Sequence, residues 1–246
     1  MVSTTTRFFL ALCLFCVSLG AAAQPAHERF DRALHRHVKG GVVDYPAIAA
    51  DADFRAYVAS LAESASLPSR DDRLVYYMNA YNALAIQGIV EGLSPATLFG
   101  RIRYFKLKDW KLDGGEIDLY DLEHDLLIPL EEPRIHFSIV CASKSCPELH
   151  SEAYAAEKVQ SQMEANARAF INDPERNRFD RERKVAYLSE IFKWYEDEFS
   201  KSAGSLRKYL ARYVNDPETA RDLAAERYTI EWIDYEWSLN GIPPAR

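Results

Sequence analysis

The chain has 246 residues, with 37 Asp and Glu against 30 Lys and Arg, for a formal charge of −7. That length suits one domain with a real core. The mild acidity, with no basic stripe visible to contact phosphates, argues against non-specific nucleic-acid binding.

Residues 1–23 read as a secretory leader. Arg7 is the positive start, residues 8–19 are the apolar core, and Ala21, Ala22 and Ala23 form a small-residue cleavage site before Gln24. Cys16 lacks the small residues that precede a lipidated cysteine, and the apolar run is short for a membrane anchor. Removing 23 of 246 residues leaves 223, and losing Arg7 takes the charge from −7 to −8. Residues 24–246 are then expected to be a single periplasmic or secreted domain with no membrane span. Of four cysteines, Cys141 and Cys146 remain. In an oxidising compartment they either pair or do thiol work.

Residues 27–39 carry Phe30, Leu34, His37 and Val38 at helical spacing, stopped by Gly40 and Gly41. A short strand over residues 42–45 follows, and Pro46 opens a helix with Phe54, Tyr57, Val58 and Leu61 on its apolar face. Ser69 caps a helix running to about Gly92, with Asp71 and Asp72 in its first turn. It is apolar nearly all round, which predicts burial. Asn79 and Asn82 lie three apart on one face and need partners there. They either tie the helix to neighbouring backbone or line a pocket.

Residues 104–112 alternate loosely, and Asp113, Gly114 and Gly115 mark a hairpin turn before residues 116–119. A short helix over residues 120–127 follows. Residues 135–140 place Ile135, Phe137 and Ile139 on one strand face and His136, Ser138 and Val140 on the other. The absence of charge from Ile135 to Ser143 predicts a central strand ending in the cysteine loop. Ser145 and Glu148 fit a capping box with Pro147 in the first turn. Further helices are predicted over residues 153–172, from Ser189 onward, and near residues 205–214 and 218–226, with strands at 185–188 and 228–235. The pattern is α+β: a largely antiparallel sheet, many helices, and one long buried central helix.

Four segments, YYMNAYNALAIQGIV (76–90), HFSIVCASKSCPEL (136–149), SEIFKWYEDEF (189–199) and DYEWSLNG (234–241), resemble the domain-of-unknown-function 547 family. Tyr77 stands where that family often has Trp, an aromatic-for-aromatic change. The resemblance implies a shared fold and polar residue set, and supplies no reaction.

Cys146 at a helix start would meet unpaired N–H groups that favour a thiolate. His136 is the candidate base, Asn79 the candidate orienting group, and Asn82, Cys141, Glu190 and Trp194 the candidate binding residues. This predicts a thiol-dependent hydrolase or acyl transferase. The alternative is a non-catalytic periplasmic binding or scaffold module with a Cys141–Cys146 disulfide and a small-molecule or protein ligand. A dithiol redox role has a wider cysteine spacing than Cys-X-X-Cys. A metal site on His136 and the cysteines lacks a fourth ligand, so no metal or cofactor is expected. Buried helix, hairpin and His-bearing strand are similar in order to papain- and transglutaminase-like hydrolases. Those use a cysteine at the start of the central helix, and none lies between Cys16 and Cys141 here. Glu196, Asp197 and Glu198 read most simply as a solvated face.

Overall fold

The computed structural model describes residues 27–244, so the expected leader lies outside the described residues. The chain opens with α1 (His27–His37), β1 (Val38–Lys39), β2 (Val42–Asp44), α2 (Tyr45–Ala50) and α3 (Ala52–Ser60). Pro46 sits in the first turn of α2, and Asp51 breaks the run by accepting the N–H groups of Asp53 and Phe54 as the cap of α3. Phe30 of α1 stacks on Tyr57 of α3 with ring centroids 4.9 Å apart.

Everything else is arranged around α4 (Arg70–Val90). The Ser69 hydroxyl accepts the Asp72 N–H and the Asp72 carboxylate accepts the Ser69 N–H, a complete capping box. Fifteen of its 21 residues are buried, which makes this the central helix that its all-round apolar sequence predicts. Each large apolar side chain so buried contributes about 1.5–3 kcal/mol. Gly88 admits the Tyr104 ring, which a β-carbon there would meet at 2.9 Å, and the Tyr104 hydroxyl donates to the Ala85 carbonyl at 2.8 Å.

Beyond α4 come α5 (Leu98–Lys106), a hairpin of β3 (Trp110–Leu112) and β4 (Gly115–Ile117), α6 (Leu119–Asp121) and a π-helical segment (Leu122–Leu127). Asp113 and Gly114 both take positive φ (50° and 76°), the two-residue turn that suits a twisted hairpin. Tyr104 lies in α5, so the alternation expected from residue 104 is strand only from Trp110. The second half adds α7 (Val159–Ile171), β5 (Arg178–Asp180), β6 (Val185–Ser189), α8 (Glu190–Trp194), α9 (Glu196–Ala203), α10 (Leu206–Ala211), α11 (Pro217–Ala224), β7 (Thr229–Ile233) and β8 (Gly241–Ile242).

The fold is α+β. Among the described residues its strands form three small sheets, ordered β1-β2-β8, β3-β4 and β5-β6-β7. The β2–β8 and β6–β7 pairs are parallel and the other three antiparallel. Val43 pairs with Gly241 across β2–β8; a β-carbon at Gly241 would lie 2.1 Å from the Val43 carbonyl oxygen, so this crossing needs glycine.

The expected central strand over residues 135–140 is absent. Pro133–Phe137 is a 3₁₀ helix, and residues 138–141 are irregular. The alternating apolar residues are buried all the same, and side chains replace the sheet partners. The Asn82 amide accepts the Val140 N–H at 2.8 Å and donates to the Ser138 carbonyl at 3.0 Å. The helix expected at Ser145 is also absent. Ser145 N–H goes to the Glu236 carbonyl, and the Ser145 hydroxyl accepts the Glu236 N–H at 2.8 Å, so its capping groups are spent on the C-terminal segment. α7 begins only at Val159, not near Ala153. The N–H groups of Ala153, Tyr154 and Ala155 are taken by Asp31, Asn79 and Gln162 side chains.

Candidate functional site

The 3₁₀ turn at Pro133–Phe137 points His136 into the interior, with its side chain 1% exposed. Its Nε2 lies 3.0 Å from Glu198 Oε2. Its Nδ1 lies 3.6 Å from Glu123 Oε1, a charge pair too long for a hydrogen bond, so Nδ1 has no hydrogen-bond partner. Tyr195 stacks on the ring at 3.7 Å. Burial pushes the imidazole pKa down, but the carboxylates of Glu123 and Glu198 outweigh it and hold the pKa above its ordinary value.

Glu123 is carried by the π-helical segment, a geometry frequent at functional sites. Glu196 and Asp197 keep the solvated face, whereas Glu198 is half-buried with its carboxylate on His136. α8 ends at Trp194, and α9 restarts at Glu196 with a new phase. That turns Glu198 and Phe199 towards His136.

The cysteine loop follows. Ala142 takes a left-handed φ of 61°, a conformation that costs a non-glycine residue about 1–2 kcal/mol. The loop is held by the last motif: the N–H groups of Asn240 and Lys144 bond to the carbonyls of Ala142 and Ser238, and Ser143 bridges to Leu239. Arg176 adds a bond from its Nε to the Cys146 carbonyl at 3.0 Å.

This brings Cys146 under Cys141 and Tyr235. Cys146 Sγ accepts the Cys141 N–H at 3.0 Å and the Tyr235 hydroxyl at 3.2 Å. Tyr235 in turn accepts from the Ser143 hydroxyl at 3.0 Å. Cys141 Sγ lies 3.2 Å from Ser143 Oγ and 3.4 Å from Tyr235 Oη. Burial pushes the Cys146 thiol up, but donors from Cys141 and Tyr235 more than offset it and bring the pKa down to about 7. The Cys141 thiol moves the other way, pushed well above its ordinary value by its hydrogen bond to Cys146 and by burial. The two thiols titrate as a pair, and their surroundings favour the first negative charge on Cys146. The disulfide expected of an exported chain is not formed: both cysteines are free thiols.

Cys141, Cys146, His136, Glu123, Tyr81, Trp194, Tyr195 and Tyr235 line one small cavity of about 50 Å³. On its other side Cys146 also lines a cleft of about 400 Å³ with Lys144, Glu148, Arg176 and Asn240. That volume is in the range of small-molecule sites.

The structure therefore brings His136, Cys141, Cys146 and Trp194 together. It does not bring in Asn79, Asn82 or Glu190. Asn79 exchanges two 2.9 Å hydrogen bonds with the Tyr154 main chain, and Asn82 clasps Ser138 and Val140. Glu190 stays partly exposed, 3.9 Å from Lys193. Sequence reasoning missed Glu123, Glu198 and Tyr235. The last two stand inside motifs that were singled out, SEIFKWYEDEF and DYEWSLNG, and a carboxylate next to an inward-facing Phe was the available signal for Glu198. Among the described residues no three His, Cys, Asp or Glu side chains converge as metal ligands, and no helix is long and apolar enough to cross a membrane.

No curated protein and no solved structure matches this chain. Residues 65–171, which hold α4, the π-helical segment, His136 and both cysteines, match the family described as "Protein of unknown function, DUF547". Over those residues the chain is similar to that family, which its motifs also resemble.

Proposed function

We propose that the protein is an exported thiol enzyme, a hydrolase or acyl transferase working through a Cys146 thiolate. One observation carries this reading. Cys146 Sγ has only donors for hydrogen-bond partners, while His136, lining the same cavity, faces only carboxylates. Negative charge is favoured on the sulfur and positive charge on the ring before any substrate arrives.

In this reading the thiolate attacks an acyl carbon placed at the cavity that Cys146 shares with His136 and Tyr235. The Cys141 N–H and the Tyr235 hydroxyl, freed as the sulfur loses its charge, stabilise the developing oxyanion. His136, whose protonated form Glu123 and Glu198 favour, supplies the proton to the leaving group. His136 thus works as an acid first, not as the base that removes the thiol proton. Asn82 holds the main chain at Ser138 and Val140, and Asn79 holds it at Tyr154. Export rests on the leader read in residues 1–23.

The test is a panel of activated esters and thioesters followed by intact-mass analysis. The reading expects an acyl adduct on Cys146, lost in Cys146→Ser and retained in Cys141→Ser. A Cys146→Ser protein that folds and keeps full turnover contradicts it. The contact of Cys141 with Cys146 favours a second reading, thiol–disulfide exchange, with Cys146 attacking a substrate disulfide and Cys141 resolving the mixed disulfide. That reading expects turnover of disulfide substrates to be lost in Cys141→Ser as well.

A further inference from the structure

α5 stands apart from the rest of the surface. Its inner face docks through Tyr104, with Arg101 over the Trp237 ring at 4.5 Å and Phe105 edge-on to it at 6.4 Å. Its outer face leaves Leu98 70%, Phe99 67%, Ile102 43% and, just past its end, Leu107 66% exposed. In a chain of net charge −7, residues 92–108 hold four Lys or Arg and no Asp or Glu. Arg103 and Lys106 are exposed among the apolar side chains.

We infer that α5 and Leu107 form a docking face for an anionic lipid surface, with Leu98, Phe99, Ile102 and Leu107 entering the headgroup layer and Arg103 and Lys106 meeting lipid phosphates. Apolar residues ringed by cations are what such a surface requires. A second copy of this chain fits less well, because a two-fold contact through α5 would set Arg103 and Lys106 against their own copies. Nucleic acid would engage the cations and leave the four large apolar side chains in water. Trp237 joins α5 to Trp194, 5.7 Å away and 43% exposed, so the docked face would put an aromatic belt at the interface beside the cysteine cavity. The inference stands without the thiol reading, since none of these side chains lines the cavity except Trp194.

Co-sedimentation with vesicles of equal phosphatidylglycerol and phosphatidylcholine, against phosphatidylcholine alone, tests it. The protein should bind the anionic vesicles at low salt, release at high salt, and bind the neutral vesicles far less. At about 1 kcal/mol per basic residue near such a surface, Arg103→Gln with Lys106→Gln should weaken binding roughly thirtyfold. Leu98→Ser with Phe99→Ser should lose it at any salt. These positions are exposed, and unchanged thermal unfolding confirms that the variants fold. Equal sedimentation with both vesicle types, wild-type binding by either double variant, or a dimer in solution that Leu98→Ser/Phe99→Ser dissociates would overturn the inference.

Discussion

Two buried polar clusters lie on either side of residues 134–154, and they are built differently. Around Asn79, Asn82, Tyr154 and Asn166, amides and a hydroxyl bond to main-chain groups and to one another: Asn166 donates to the Tyr154 hydroxyl at 2.8 Å, and that hydroxyl donates to the Ser138 carbonyl at 3.0 Å. Each of these groups is neutral and satisfied, and such a cluster rigidifies a fold. Around His136 and Cys146 the partners are themselves ionisable, one ring nitrogen lacks a hydrogen bond, and a cavity adjoins. That cluster is polarised and incomplete, as a site awaiting substrate is. Burial of polar residues alone did not separate the two; the chemistry of their partners does.

Breaking the satisfied cluster should show the largest stability effect. Asn82→Ala orphans the Val140 N–H, at about 1–3 kcal/mol for a buried group, while the Ser138 carbonyl keeps the Tyr154 hydroxyl. Denaturant unfolding should therefore register a loss of about 1–3 kcal/mol. The apparent Cys146 pKa should stay put in whatever fraction remains folded. A large shift of that pKa would mean that the clusters are coupled rather than distinct.

The polarised cluster should respond to charge instead. His136 has a folded pKa above its unfolded value. Its ion pairs therefore stabilise the protein fully below the ordinary imidazole pKa, and this is lost as pH rises through the raised one. Glu198→Gln removes the nearer carboxylate. It should lower the His136 pKa, followed by NMR titration, and flatten the stability profile over that window. His27 gives an opposite control. Burial lowers its pKa to about 4, so its contribution is present above the ordinary value and lost as pH falls towards 4. An unchanged His136 titration in Glu198→Gln would show that the carboxylate does not hold the charge.

The smallest effect concerns the loop between the cysteines. At φ 61°, Ala142→Gly should be neutral or stabilising by up to about 1 kcal/mol, whereas Ala80→Gly inside α4 should cost about 1 kcal/mol or more. Equal destabilisation at both positions would remove the case for strain at Ala142.

Local signals carried much of the fold. The Ser69 capping box, the all-apolar α4, the Asp113–Gly114 turn and the Ser189 cap are all decided by residues within a few positions of one another. The segment carrying the site was not legible in that way. Its alternation at Ile135, Phe137 and Ile139 reports burial, and burial on a period of two suits a strand. The hydrogen bonds that would have confirmed a strand come from Asn82, 56 and 58 positions away. Likewise Ser145 and Glu148 carry a cap's residue types, but Glu236, 91 residues on, takes the Ser145 hydroxyl. The cysteines and His136 were visible as a constellation. Glu123 and Tyr235, which set the charge of each, reach the site only through tertiary packing.

The central claim is that Tyr235 and the Cys141 N–H favour the thiolate form of Cys146. The most direct measurement is the pH dependence of alkylation at Cys146, followed by mass spectrometry of the modified peptide, in wild type and in Tyr235→Phe. The account predicts a rate rising with a midpoint at about 7 in wild type, moved upward in Tyr235→Phe, with Cys141 unmodified across that range. A midpoint at the ordinary thiol value of about 8.5 in both proteins, or earlier modification of Cys141, would contradict it.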